Sequence, residues 1–278
     1  MAGLTFLWLE ITGRCQLKCA HCYADSGPTG TQGSMTTADW RRVIDQAAAI
    51  GVRVVQFNGG EPTLHPDLPA LVRHALGLGL LVEIFSNLVR VPPGLWELFS
   101  LPGVSLATSY YSDDPAEHAA ITGRRDSYGR TRANLVEAVR RGVPVRAGVV
   151  DLGSGQRWQQ AVGELESLGV TDIRTDSVRE IGRGAGGSRP CLDQLCGNCA
   201  REVLAIGPDG TARPCVFARW KEMAVGNVRR SSLADIMSGT AVAALRRRIW
   251  AATEARQRRA VRGEVKARRS LRRRGTRR

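Results

Sequence analysis

Residues 4–22 read Leu4-Thr-Phe-Leu-Trp-Leu-Glu-Ile11, then Thr-Gly-Arg, then Cys15-Gln-Leu-Lys-Cys19-Ala-His21-Cys22. The first eight form an apolar run that reads as a strand. The loop behind it carries three thiols at a three-then-two spacing, short enough to wrap one compact inorganic centre. Zinc is the simplest reading, but a structural zinc ion takes four protein ligands. His21 lies directly between two of the cysteines and would have to turn back on the same loop to be the fourth. Three thiolates instead suit a four-iron cluster whose fourth iron stays open for a substrate or cofactor.

Working outward, β-branched runs alternate with amphipathic helical patterns. Strands are expected at Val52–Asn58, Leu80–Ser86, Val104–Tyr110, Pro144–Asp151 and Thr171–Ser177. Helices are expected from the Thr36/Thr37/Asp39 start signal to about Ile50, then over Pro66–Leu78, Pro93–Ser100, Ser127–Arg141 and about Gln156–Leu168. Six strand–helix units at this period imply parallel strands joined by helical crossovers, in a doubly wound sheet or part of a barrel. The second strand ends in Asn58-Gly59-Gly60-Glu61-Pro62, where a glycine pair permits close backbone approach to a ligand beside one fixed negative charge.

The remaining cysteines form a second group, Cys191-x4-Cys196-x2-Cys199 with Cys215 beyond a Pro208-Asp-Gly210 turn. The strand-like Val203–Ile206 and this turn fold Cys215 back toward the other three, and four thiols so placed suit zinc or an iron–sulfur cluster on spacing alone. Seven cysteines, an odd number, in tight groups without an export signal argue against a secreted disulfide framework and for a cytoplasmic protein. No uninterrupted apolar stretch is long enough to cross a membrane. Gly182–Ser188 reads as a linker and domain boundary, and Leu233 to about Trp250 as a final helix.

The net charge of +14 suggests nucleic acid until it is located. Residues 251–278 carry twelve Arg/Lys against Glu254 and Glu264, and residues 229–250 carry five Arg against Asp235. The first 228 residues are therefore neutral. The basicity belongs to a tail that reads as a solvated Arg-rich helix end, which argues against nucleic acid as a partner. A nucleic-acid role for the tail would show as binding that weakens steeply with salt.

The Cys-x3-Cys-x2-Cys loop, Gly-Gly-Glu-Pro and six βα units together resemble the radical S-adenosylmethionine enzymes over about residues 4–185. The resemblance implies a partial (β/α)6 TIM barrel with its active site at the C-terminal strand ends. It also implies that Cys15, Cys19 and Cys22 hold a [4Fe-4S] cluster, whose open iron chelates S-adenosylmethionine. One electron then yields a 5′-deoxyadenosyl radical that abstracts a substrate hydrogen. Gly59, Gly60 and Glu61 would hold the methionyl amino group, and His21 takes the place of an aromatic usually found near the adenine. Asn87, after Ser86, and Ser109 stand where ribose contacts occur, although Ser and Asn also end strands well. Arg146, Asp151 and Asp176 are candidates to face the site, as are Tyr110-Tyr111 beside Asp113-Asp114. His65, His74 and His118 read as surface or packing residues.

Cys199 through Gly210 and Cys215 to Gly226-Asn227-Val228 resembles the start of a SPASM domain. The resemblance implies a truncated, twitch-like form with an auxiliary [4Fe-4S] cluster on Cys191, Cys196, Cys199 and Cys215. The expected organisation is a barrel over 1–185, the cysteine-rich domain over 186–228, a helix over 229–250 and the basic tail over 251–278. The function implied is maturation of a ribosomally synthesised peptide by crosslinking, epimerisation or oxidation. The alternative is a radical dehydrogenase of an aminocyclitol or sugar. Partners implied are a precursor peptide or small-molecule substrate and an electron donor such as flavodoxin or ferredoxin. With the barrel starting near residue 4, peptide recognition would fall to a separate protein or to the tail. No dedicated catalytic acid or base stands out.

Overall fold

The computed structural model describes residues 3–153 and 155–275, and side chains as far as Arg259. Strands β1 (Phe6–Thr12), β2 (Val54–Gly59), β3 (Leu81–Phe85), β4 (Val104–Tyr110), β5 (Val145–Asp151) and β6 (Asp172–Ser177) run parallel, each paired with the next. Helices α1 (Thr37–Ala49), α2 (Leu68–Gly77), α3 (Pro93–Phe99), α4 (Pro115–Thr122), α5 (Ser127–Arg140) and α6 (Trp158–Ser167) lie between them. The sheet continues on the other side of β1 through β7 (Val203–Ile206), β8 (Thr211–Arg213) and β9 (Gly226–Asn227), giving the order β6-β5-β4-β3-β2-β1-β7-β8-β9. β6 is left as an edge, so the barrel stays open beside it. Two helices follow, α7 (Leu233–Ser238) and α8 (Thr240–Gly275).

Side-chain alternation along β1 explains the layers. Leu7, Leu9 and Ile11 are wholly buried against the helices, while Trp8 turns into the barrel. On α1, Trp40, Val43, Ile44 and Ala47 make the facing apolar stripe. Its start is a capping box: Thr36 Oγ1 accepts from Asp39 N at 3.1 Å and Asp39 Oδ2 accepts from Thr36 N at 3.0 Å.

Three readings of the sequence change here. Helix α4 was not expected, because it lacks an apolar stripe; its signals are the Asp114 cap, Pro115 at its first turn and left-handed Gly123 (φ 70°) at its end. The final helix does not stop near Trp250. It breaks at Gly239, and α8 then runs on into the basic segment as far as Gly275. Gly182–Ser188 is not a free linker, since Gly182–Ala185 forms a 3-10 turn packed on the cysteine loop.

The C-terminal hairpin is tied to the barrel by charge as well as by β-pairing. Glu10 on β1 is 2% exposed, and both of its carboxylate oxygens accept from Arg219 Nη1, at 2.5 and 2.7 Å. Removing one member of a buried pair leaves the other desolvated and unpaired. Arg219→Ala should therefore cost about 3–5 kcal/mol of stability in denaturant unfolding, well above the effect of an exposed pair.

Candidate functional site

One cavity of about 960 Å³ occupies the barrel, and Cys15, Cys19, Cys22, His21, Gly59, Gly60, Asn87 and Ser109 all line it. Residues separated by nearly a hundred positions thus meet at the C-terminal ends of β1–β4. The cysteine loop is held from both sides. Lys18 N and Ala20 N donate to the carbonyls of Thr122 (3.1 Å) and Ile121 (2.9 Å) at the end of α4. From the other side Arg183 donates from Nε to Cys19 O (2.8 Å) and from Nη2 to Ser26 O (2.7 Å), and its Nη1 pairs with Asp25 at 2.8 Å. A Cβ at Gly182 would lie 2.4 Å from Cys22 O, so only glycine lets this turn seat on the loop.

The glycine pair docks on the same loop. Gly60 N donates to Thr12 O at 2.7 Å and Glu61 N to Arg14 O at 2.9 Å. A Cβ at Gly60 would stand 2.2 Å from Arg14 O. Glu61 itself does not line the cavity. Its wholly buried carboxylate is engaged by its neighbours: Oε1 accepts from Thr63 N (3.1 Å), Thr63 Oγ1 (2.7 Å) and Ser86 Oγ (2.8 Å), and Oε2 from Asn87 N (2.8 Å). Burial pushes its pKa up while these donors pull it down. A buried carboxylate must find such partners, and here they are the ends of β2 and β3.

His21 packs its ring edge-on to Tyr111, with centroids 4.9 Å apart, and Nδ1 is buried without a partner. Burial and then Arg183 lower its pKa to about 4, so the ring is neutral. Tyr111 lines the cavity, whereas the Tyr110 hydroxyl donates to Glu164 at 2.7 Å outside it. Asp113 pairs with Arg157 (2.7 Å) and Asp114 caps α4, so both shape the loop. Arg146 and Asp176 face the cavity; Asp151 instead accepts from Gly153 N at 2.8 Å. Arg146 pairs with Glu83 at 2.8 Å across the interior. His118 is a packing residue, 1% exposed, with Nδ1 3.0 Å from Ser127 Oγ. His65 Nδ1 accepts from Asp67 N at 3.2 Å and His74 pairs with Asp45 at 2.7 Å.

The donor chemistry fits a cluster better than a single ion. A cubane takes each thiolate on a different iron, so its ligands spread around a space, as Cys15, Cys19 and Cys22 spread around this cavity. Burial pushes the Cys15 and Cys19 thiols up to about 12, so an iron centre would replace their protons on binding.

The second group sits beside the β7–β8 hairpin. Cys199 and Cys215 are buried with sulfurs 3.1 Å apart, and Cys191 and Cys196 are exposed. Contact with Cys196 and Cys215 drives the Cys199 thiol far up. Tyr23, next to Cys22, and Phe217, two residues past Cys215, meet edge-on at 5.1 Å, so an aromatic pair stands between the groups.

The sequence profile of the radical SAM superfamily matches residues 9–166, more than half of the chain. The chain belongs to that superfamily. An iron–sulfur cluster-binding SPASM domain matches residues 196–262, and the protein uses S-adenosylmethionine and [4Fe-4S] clusters. The SPASM match runs through α7 into α8, beyond the expected end of that domain at residue 228. Among curated relatives, the PqqA peptide cyclase of Xanthomonas campestris pv. campestris is 28% identical, covering 87% of this chain and 76% of that protein. Among solved structures, Streptococcus suis SuiB bound to S-adenosylmethionine superposes with a TM-score of 0.74 at 16% identity, covering 88% of this chain and 68% of SuiB. AnSMEcpe with bound AdoMet reaches a TM-score of 0.71 at 12% identity, with 89% and 83% covered. These likenesses bear out the expected radical SAM barrel.

Arg183 and α4 were missed from sequence, since neither forms a motif. The Gly-Arg-Gly run at 182–184 was the available signal, because paired glycines around an arginine mark a backbone that approaches something closely.

The basic helix also reaches the second cysteine group. Arg256 Nη1 donates to Leu195 O at 3.0 Å, Arg259 pairs with Asp193 at 3.0 Å, and Thr253 packs over Gly197. Truncation after Trp250 removes all three contacts. After anaerobic reconstitution it should lower bound iron by about four per chain, the content of one [4Fe-4S] centre, and leave reductive cleavage of S-adenosylmethionine intact.

Proposed function

We propose that this protein abstracts a hydrogen from a ribosomally synthesised peptide and so crosslinks, epimerises or oxidises it. Cys15, Cys19 and Cys22 hold the catalytic cluster, and Cys191, Cys196, Cys199 and Cys215 a second one. Bound together, the first cluster and S-adenosylmethionine supply one-electron cleavage to a 5′-deoxyadenosyl radical. The chain's own residues orient and enclose the reactants. Gly59 and Gly60 expose backbone to the methionyl end, the neutral His21 ring offers a flat face held by Tyr111, and Ser109 offers a hydroxyl. The observation carrying this reading is that these residues and the three thiols line one cavity.

Two features support a peptide over a sugar. The similar curated proteins are named peptide cyclases, and SuiB has been solved with its precursor peptide SuiA. In addition, the barrel is unclosed at β6, whose Arg174 and Asp176 border the cavity at an exposed edge, leaving lateral room for an extended chain. No helix among the described residues is long and apolar enough to cross a membrane, and seven cysteines with no disulfide among them suit a reducing cytoplasm.

Co-expression with a short peptide encoded beside the gene should change the peptide. Mass spectrometry should show loss of two hydrogens for a crosslink or oxidation, and chiral amino-acid analysis an inverted centre for epimerisation. An unchanged peptide together with oxidation of an aminocyclitol would replace this reading with the dehydrogenase. Cys15→Ala, Cys19→Ala or Cys22→Ala should abolish release of 5′-deoxyadenosine, while Cys215→Ala should spare it and block product.

A further inference from the structure

We propose that Asn87 sets the reduction potential of the catalytic cluster by donating a hydrogen bond to the sulfur of Cys15. This rests on the assignment of Cys15, Cys19 and Cys22 as cluster ligands. Asn87 Nδ2 stands 3.6 Å from Cys15 Sγ. An asparagine amide is often ambiguous in orientation, but here its oxygen is fixed by two donors, Gln16 Nε2 at 2.9 Å and Val89 N at 2.9 Å. The NH2 group therefore faces the thiol. With its oxygen occupied, the side chain has no free acceptor for a ribose hydroxyl, the role its place at the end of β3 suggests.

The backbone is held as firmly as the amide. Asn87 N donates to Glu61 Oε2 at 2.8 Å, and Asn87 O accepts from Thr131 Oγ1 at 2.9 Å. The next residue, Leu88, is a fully buried leucine at φ 54°, a left-handed conformation that non-glycine residues adopt only when their surroundings impose it. Leu88 N donates to Ser86 Oγ at 3.0 Å and Asn134 Nδ2 to Leu88 O at 2.6 Å, which supplies that imposition. This corner turns the chain so that Asn87 looks back at the cysteine loop. A donor on a ligating sulfur draws charge from the centre and favours its more negative, reduced state, which raises the potential. Leu17 N also lies 3.4 Å from Cys15 Sγ, but that backbone donor is common to every variant.

The test is an EPR-monitored redox titration of the full-length, reconstituted protein, following the signal that S-adenosylmethionine perturbs. Without S-adenosylmethionine, Asn87→Ala should shift that midpoint to more negative potential, lowering the reduced-to-oxidised ratio at a fixed potential roughly tenfold, the scale of one hydrogen bond to a charged group. Asn87→Leu, of similar volume and without a donor, should shift the midpoint the same way. An unchanged midpoint in both variants at full iron content overturns the proposal. So does a weakened affinity for S-adenosylmethionine in Asn87→Ala at an unmoved midpoint, the signature of a ribose contact. Full iron in Cys15→Ala would instead overturn the ligand assignment, so the two failures are distinguishable.

Discussion

The wholly buried carboxylate of Glu61 is the interaction on which the site depends. Leaving a charge there without donors would cost several kcal/mol, so the surrounding chain is obliged to bring them. Thr63, Ser86 and the Asn87 backbone provide them, and in doing so they fasten the end of β2 to the end of β3. The amide of Glu61 reaches Arg14 O at the same time, so the end of β1 joins the same knot. Three strand ends and the cysteine loop are thereby held in one arrangement. The glycine pair is the geometric counterpart of that knot, since any side chain at Gly60 would collide with Arg14 O.

A second constraint joins the two cysteine groups. The C-terminal hairpin adds β7 to the free side of β1 in parallel register, so the downstream cysteines are carried by the barrel's own sheet. The Glu10–Arg219 pair and the Tyr23–Phe217 contact then fill the seam between them. Val216 and Phe217 contribute to the cavity wall, so the segment that follows Cys215 borders the cavity. Helix α8 closes the arrangement from outside by gripping residues 193–197. Its first turns past Trp250 are structural, whereas the net charge alone suggested an appended tail.

The sequence by itself determined the six-fold βα period, the strand placements and the identity of the thiol and glycine motifs, because these are local properties. Hydrophobic periodicity follows from which face of one element is buried, and the motif spacings follow from chain geometry within one loop. The start signal of α1 and the Pro208–Gly210 turn were legible for the same reason. Helix α4 was not, because it is held by its caps and by contacts of its C-terminus with Lys18 and Ala20 rather than by an apolar stripe. Only the tertiary structure decided that Glu61 supports the site from behind, that Arg183 clamps the cysteine loop, and that Asn87 faces a sulfur. Each depends on partners tens of residues or more away in sequence, and where a polar side chain points is settled by whichever buried groups still need a hydrogen bond once the sheet has formed.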